Sequence, residues 1–298
     1  MARLSHEQAI DNLVALFEEE ALRIAAKARR ETLYILQIRL AVTDGVIDRT
    51  QANARALNQV EAIYKRAMRA AGYDTLVQEY VNSFNGQFVF FSDVLAALGD
   101  SIGRNLTFTF GDRDKALFLQ QQAQASLMLH QAVDIQAKAA QQQAMFSIGN
   151  IRAADLTRMI SEKLDLTAGR AGAVADTSLS TFYRTVADRG YQQVEASLGQ
   201  RKRLKIRYRF GGPNDKLTRP FCVHALAGAA YSGLRGVKVL ASAGDRAYTR
   251  EEIDQMSNGQ LPNVMATCGG FRCRHQWMMV IDELPNTRIQ KKQAKRAK

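Results

Sequence analysis

Residues 203–210 have the sequence RLKIRYRF, in which basic and apolar side chains alternate. An alternation with a period of two is typical of a β-strand that buries one face. The stretch also divides the chain, because none of the four prolines precedes residue 213, and all three cysteines and the only tryptophan follow residue 210. It therefore predicts the first strand of a C-terminal module that differs in kind from the chain before it.

The chain before this strand is predicted to be mostly helical, since proline interrupts helix interiors and none occurs in the first 212 residues. Apolar residues recur at helical spacing up to the turn pair Asp44-Gly45, and a second helix is expected over about 50–71. The remaining predicted elements are helices over 74–84, 92–102, 112–148, 153–164 and 171–198, and a short strand over 105–110. The predicted fold class is α+β: a predominantly helical N-terminal part with long helices, then a small, mixed α/β, loop-rich C-terminal module.

The predicted helix over 112–148 has an unusual composition. Between residues 116 and 151 the only charged residues are Asp134 and Lys138, whereas nine residues are glutamine. A surface helix normally carries charges and a core helix normally lacks amides. Two interpretations are open: an interface with other protein subunits, or an uncharged stretch that lies against the rest of its own domain. We predict that residues 1–150 form a helical assembly and interaction domain.

The positive charge of the chain is concentrated in two runs. The 41 basic and 29 acidic residues give a net charge of +12, and residues 201–209 and 286–298 each contain six basic and no acidic residues. Such localised charge favours contact with a polyanion. The predicted nucleic-acid contacts are Arg201, Lys202, Arg203, Lys205, Arg207, Arg209, Lys291, Lys292, Lys295 and Arg296.

Both basic runs also allow a simpler interpretation. The alternating cations can be the solvent-facing side of an edge strand, where they discourage aggregation. Residues 286–298 can be a solvated basic tail, which we expect to be disordered.

No membrane association is predicted. The longest uncharged stretch, residues 116–133, is interrupted by glutamines that are costly in hydrocarbon, and acidic residues follow the start of the chain too closely for a signal peptide. The three cysteines are therefore expected in a reducing cytosol.

The cysteines and two histidines form a candidate metal site. Cys222, Cys268 and Cys273 fall within 52 residues, and His224 and His275 each follow a cysteine by two positions. Cysteine and histidine are the usual ligands of structural zinc, which needs four. The predicted ligands of one structural zinc are Cys222, Cys268, Cys273 and His275, with His224 as the alternate. Buried unreactive thiols, or one disulfide in an oxidising setting, are the alternatives.

Asp215, Thr218, Arg219 and Pro220 are predicted to have structural roles in a turn. Thr249 is expected to cap a short helix with acidic residues in its first turn. No catalytic residue is assigned. The competing hypothesis is a metal-dependent hydrolase or nuclease, in which Asp215 and His224 act as an acid–base pair beside the cysteine cluster.

Three blocks of sequence carry a resemblance. They are 215–224 (DKLTRPFCVH), 248–254 (YTREEID) and 268–277 (CGGFRCRHQW), in that order. Together they resemble the C-terminal module of the phage Mu protein F-like head morphogenesis family, which would cover residues 151–285.

The resemblance implies a minor head protein of a tailed phage or prophage that takes part in capsid morphogenesis. Its implied partners are the portal or other head proteins and double-stranded DNA, and a homo-oligomer is left open. The implied location is the portal region of the virion head, after assembly in the cytoplasm of the bacterial host.

Overall fold

The computed structural model of the chain describes residues 6–147, 151–198, 204–228, 236–239 and 247–283. The α-helices are α1 (His6–Arg39), α2 (Gln51–Leu57), α3 (Val60–Ala70), α4 (Tyr73–Asn82), α5 (Gly86–Ser101), α6 (Asp112–Phe146), α7 (Ala153–Leu198), α8 (Pro220–Ala227), α9 (Arg250–Asp254) and α10 (Val264–Thr267). The strands are β1 (Val42–Thr43), β2 (Val46–Ile47), β3 (Leu204–Gly211), β4 (Val237–Lys238), β5 (Ala247–Tyr248), β6 (Ser257–Asn258) and β7 (Gln276–Glu283). Long helices followed by a small sheet-containing part confirm the predicted α+β class.

The chain forms two compact units, of which the first comprises residues 1–84 and 120–179 and the second residues 85–119 and 180–298. The division predicted at residue 150 was based on composition. The roles predicted for the two parts, assembly for residues 1–150 and head morphogenesis for residues 151–285, stay predictions. In the described part of the chain, no helix is long and apolar enough to cross a membrane.

The first unit is a helical assembly in which α1 packs against α3 and α4. Its buried tyrosines satisfy their hydroxyl groups. Tyr64 Oη donates to Thr167 Oγ1 at 3.1 Å, and Tyr80 Oη donates to the carbonyl oxygen of Ala175 at 2.9 Å. Each ring therefore contributes apolar area to the core without leaving a buried polar atom unpaired.

Two details of the first unit differ from the sequence-based prediction. The turn pair Asp44-Gly45 joins β1 and β2 in a small hairpin, with φ of 52° and 78° as a type I′ turn requires, and α1 already ends at Arg39. The single helix predicted over 50–71 is two helices, α2 and α3, separated at Asn58 and Gln59.

The second unit contains a three-stranded antiparallel sheet with the strand order β5-β3-β7. The central strand is the one predicted from RLKIRYRF, and β7 pairs with it along its whole length, with Tyr208 opposite Met279 and Phe210 opposite Trp277. Tyr208 and Phe210 are buried, whereas Lys205 and Arg209 are exposed, so the predicted alternation of the two faces is confirmed.

Two other predictions for these segments were wrong. Residues 105–110 form no strand, because Phe108 and Phe110 pack into an aromatic cluster, with ring centroids 5.2 Å from Phe91 and 4.8 Å from Phe118, respectively. The two helices predicted over 153–164 and 171–198 are one helix, α7, of 46 residues. Its internal glycines do not break it, since a helical glycine costs only about 1 kcal/mol.

Candidate metal centre

The first motif block forms a turn followed by α8. Pro220 occupies the first turn of α8, where its fixed φ suits a helix and its missing N–H is no loss. Arg219 Nη1, just before the helix, donates to Gln260 Oε1 at 2.6 Å and to the carbonyl oxygen of Gly269 at 3.0 Å. The bond to Gly269 connects the start of α8 to the third motif block. Cys222 is the third residue of α8.

Asp215 also connects the first block to the third. Its carboxylate accepts from the backbone N–H of Leu217 at 2.9 Å and from Arg274 Nη2 at 2.7 and 2.9 Å. Thr218 Oγ1 accepts from the Asp215 N–H at 2.8 Å and donates to the carbonyl oxygen of Pro213 at 3.0 Å. The hydrogen bond from Arg274, with that from Leu217, lowers the pKa of Asp215 to about 2.

Cys222, Cys273 and His275 form a compact cluster, which we call the sulfur–imidazole cluster. The Sγ atoms of Cys222 and Cys273 are 3.6 Å apart, and Cys273 Sγ is 3.6 Å from His275 Nδ1. All three residues are buried, and their ligand atoms lie within 4.8 Å of one another. The cluster therefore presents three zinc-type donors to one point.

The tautomer of His275 follows from its second ring nitrogen. His275 Nε2 lies 2.7 Å from the carbonyl oxygen of Pro213, which can only accept, so Nε2 carries a hydrogen. In the neutral ring the lone pair is then on Nδ1, which points toward Cys273. The ring also stacks on Phe210 with 5° between the two planes. A carbonyl that fixes the tautomer and a stacked ring that fixes its orientation are typical surroundings of a metal-bound histidine.

The surroundings of Cys273 favour a thiolate. A hydrogen bond from the Cys222 thiol is the largest cause that lowers the pKa of Cys273, and the positive charge of Arg184 lowers it as well. The Gly269 N–H donates to Cys273 Sγ at 3.1 Å, and the Arg184 guanidinium donates to the Cys273 carbonyl oxygen. The same hydrogen bond, seen from its donor, raises the pKa of Cys222, and burial raises it further.

The two distances that involve Cys273 Sγ fit a tetrahedral metal ion, and the third pair of ligand atoms, Cys222 Sγ and His275 Nδ1, lies within 4.8 Å. With Zn–S of about 2.3 Å and Zn–N of about 2.0–2.1 Å, tetrahedral geometry separates two sulfurs by about 3.8 Å and a sulfur from a nitrogen by about 3.6 Å. The observed separations are 3.6 and 3.6 Å. A thiolate facing an imidazole lone pair at this distance is stabilised by a cation between them. These three residues can therefore hold a metal ion.

Two glycines make room for the cluster. A Cβ at Gly269 would lie 2.3 Å from Cys222 Sγ, and one at Gly212 would lie 2.6 Å from His275 Cδ2. Both positions require the close approach of a bare backbone. Sequence reasoning missed Gly212, Pro213 and Arg184, although the glycine pair beside Cys268 was part of the motif.

Cys268 was predicted to be a ligand, but the structure does not bring it into the cluster. Its side chain is fully buried and accepts a hydrogen bond from the backbone N–H of Trp277, and burial raises its pKa to about 12. His224, the alternate ligand, is also outside the cluster, as is Asp215.

The predicted nucleic-acid contacts divide into two groups. On β3, Lys205 and Arg209 are exposed, whereas Arg207 is half-buried and pairs with Asp282 at 3.0 Å. The other predicted contacts lie outside the described residues, as does the tail 286–298: Arg201, Lys202, Arg203, Lys291, Lys292, Lys295 and Arg296.

The second motif block supplies a buried charge network that sequence reasoning missed. Arg250 Nη1 pairs with Asp188 at 2.6 Å, Arg250 Nε pairs with Glu195 at 2.6 Å, and Arg250 Nη2 donates to Tyr208 Oη at 2.9 Å. Thr249 caps α9 in a reciprocal capping box with Glu252, which confirms the predicted cap. The block thus attaches α9 to α7 and β3.

Comparison of the chain with protein families, with curated proteins and with solved structures finds no match in any of the three.

Proposed function

We propose that this chain is a minor head protein of a tailed phage or prophage, acting in head morphogenesis at the portal region. The observation that supports the proposal most is that the three motif blocks meet in one packed unit: Asp215 binds Arg274, Arg219 binds Gly269, Cys222 contacts Cys273, and the Tyr248 ring packs on Trp277 with centroids 5.5 Å apart. These contacts give the residues of the blocks a structural role, which supports a structural module. The copy number of the chain in purified particles tests the proposal, as described in the Discussion.

The proposed role of the sulfur–imidazole cluster is to hold one structural zinc ion through Cys222, Cys273 and His275 Nδ1. The ion would join α8 to the residues that lead into β7, which are 51 positions apart in the chain. Cys222, Cys273 and His275 supply three of the four ligands of a tetrahedral zinc, and all three of these side chains are buried, whereas a catalytic zinc keeps its fourth position open to water and substrate. Burial therefore favours a structural role over a catalytic one.

The proposed contact with packaged DNA rests on charge. Lys205 and Arg209 lie exposed on one face of β3, next to the basic residues that precede the strand in sequence. The basic tail adds a second set of cations without any acidic residue. Contacts of this kind neutralise phosphates and release counterions, so they are independent of base sequence and sensitive to salt.

Deletion of residues 286–298 tests the contact with DNA. Each phosphate contact contributes about 0.9 to the slope of log affinity against log salt on duplex DNA. The truncated protein should bind duplex DNA more weakly at low salt and with a flatter salt dependence, by about 3 in slope if half of the six cations engage. Fluorescence anisotropy over a salt series measures both. Replacement of the tail by an uncharged Gly/Ser tail of equal length is the matched control and should behave like the deletion. Equal affinity and slope for the full and truncated chains would contradict the proposed contact.

Asp215→Asn separates the structural proposal from the hydrolase hypothesis. We expect the variant to fold at neutral pH, and we expect neither the wild type nor the variant to cleave DNA with added Mg²⁺ or Zn²⁺. Plasmid nicking assays measure this. Metal-dependent cleavage by the wild type that Asp215→Asn abolishes would favour the hydrolase instead.

The same variant makes a pH-dependent prediction. The pKa of Asp215 is about 2 in the folded protein and about 3.9 in an unfolded chain. A carboxyl with a lowered folded pKa stabilises the fold above its unfolded pKa, and that contribution is lost as the pH falls through the folded pKa. The stability advantage of the wild type over Asp215→Asn should therefore shrink between about pH 4 and pH 2, as denaturant titrations at each pH would measure. An advantage that stays constant over this window would contradict the Asp215–Arg274 ion pair.

A further inference from the structure

The solvent-facing side of α6 between residues 120 and 142 is almost free of charge. We call it the α6 face. Its exposed side chains are Gln120, Ala123, Gln124, Leu127, Gln131, Ile135, Lys138 and Gln142. Leu127 is 51% exposed and Ile135 is 47% exposed, which is high for side chains of this size. Asp134, the other charged residue of this part of the helix, pairs with Lys65 of α3 at 2.8 Å.

The α6 face is nearly symmetric about Gln131. Reversal of the helix around this residue exchanges Leu127 with Ile135 and Gln120 with Gln142. It also exchanges Ala123 with Ala139, and Gln124 with Lys138. In a two-fold antiparallel pairing about Gln131, each residue faces the residue with which this reversal exchanges it, so apolar side chains face apolar side chains and amides face amides, with the Gln124–Lys138 pair as the exception.

We propose that the α6 face is an antiparallel, two-fold interface between two copies of this chain, with Gln131 on the axis. Leu127 of each copy packs on Ile135 of the other, about 6 Å from the axis along the helix. Gln131 meets its own copy, and an amide can both donate to and accept from another amide. This inference goes beyond the proposed function and does not depend on it.

The position of Lys138 favours an antiparallel arrangement of the two helices, and the scarcity of charge on the α6 face favours a second copy of the chain as its partner. A parallel pairing would place Lys138 beside Lys138 of the other copy. In the antiparallel pairing the two lysines are about 21 Å apart, which exceeds the Debye length of about 8 Å at physiological salt. Each lysine instead faces Gln124, whose amide oxygen accepts from the ammonium group. A partner with a strongly charged surface would find only one charged side chain, Lys138, among the exposed residues of this face.

The size of the face predicts a weak dimer. It is about 33 Å long and formed by one helix, so its area lies at the low end of specific interfaces. Such a dimer forms only where the protein is concentrated. Sedimentation equilibrium of the full chain should show concentration-dependent dimers.

Cross-linking tests the register of the proposed dimer. Gln131→Cys should give a covalent dimer with a short bismaleimide, because the two copies of residue 131 meet at the axis, whereas the native cysteines are buried. Gln142→Cys alone should not, since its two copies lie about 33 Å apart. A mixture of Gln120→Cys and Gln142→Cys proteins should again cross-link. Cross-linking of Gln142→Cys to itself without Gln131→Cys would contradict the antiparallel register.

Charge substitution tests the same interface without cysteines. Leu127→Glu and Ile135→Lys should each raise the dimer dissociation constant about tenfold or more, because each introduces an unpaired charge at the contact. A mixture of the two variants should recover dimers, since the new acidic and basic groups then face each other. Leu16→Glu is the matched control, an exposed leucine of α1 that should not change the dissociation constant. A chain that stays monomeric at all concentrations, or that uses this face only for a different head protein, would overturn the proposal.

Discussion

Replacement of Cys273 by serine should abolish the proposed zinc binding and destabilise the second unit. Cys273 is the member of the sulfur–imidazole cluster that contacts both others, with 3.6 Å to Cys222 Sγ and 3.6 Å to His275 Nδ1. Serine keeps the shape of the side chain but is not a zinc ligand. Because a structural ion contributes its binding free energy to folding, we expect a loss on the order of 4 kcal/mol in the free energy of unfolding.

The measurement combines metal analysis with unfolding. Wild-type protein purified from zinc-supplemented cells should contain about one equivalent of zinc, because the described residues offer one such set of ligands, and Cys273→Ser should contain close to none. Cys268→Ser is the matched control, because Cys268 is equally buried but lies outside the cluster, and it should keep the zinc. A wild-type protein without metal, whose stability a chelator does not change, would leave the three thiols as ordinary buried residues. Loss of zinc in Cys268→Ser would restore the four-ligand site predicted from sequence.

Arg250→Met should destabilise the second unit by about 3–5 kcal/mol at neutral pH, the range for breaking a buried ion pair. Arg250 is only 17% exposed, and its two partners Asp188 and Glu195 are 8% and 24% exposed. Without the guanidinium, two carboxylates remain near each other with no cation. Because a protonated carboxyl needs no cation, the difference in free energy of unfolding between the wild type and Arg250→Met should become smaller as the pH is lowered. Urea titrations at several pH values measure both effects.

Arg158→Met is the matched control for this prediction. Arg158 also pairs with two carboxylates, Asp155 at 3.5 Å and Glu162 at 3.2 Å, but its side chain is 64% exposed. Exposed pairs of this kind contribute about 0–1 kcal/mol. Similar losses for the two variants would show that the Arg250 network is not a buried one.

The strand that opens the C-terminal module was predictable from sequence because its pattern is local. The alternation in residues 203–210 indicates both a β-strand and which of its faces is buried. The absence of proline before residue 213 is compatible with the long helices. The merging of two predicted helices into α7, and the failure of residues 105–110 to form a strand, depend on packing partners that are distant in sequence.

The metal site was predictable in part, and local geometry explains which part. Cys222 and His224 both lie in α8, where residues two apart point about 200° away from each other, so they cannot bind one ion together. Cys273 and His275 lie outside any helix, in the residues just before β7, and Cys273 Sγ lies 3.6 Å from His275 Nδ1. The two Cys-x-His pairs look equivalent in the sequence, and the secondary structure distinguishes them. The hydrogen bond between Trp277 and Cys268, which directs that thiol elsewhere, has no local signal.

The central claim is that this chain is a minor component of a phage head. Quantitative mass spectrometry of purified particles, made by the phage or prophage that encodes the chain, tests it most directly. We expect the chain to be present in the particles, in far fewer copies than the major capsid protein. A chain that is abundant in the infected or induced cell but absent from the purified particles would contradict the account.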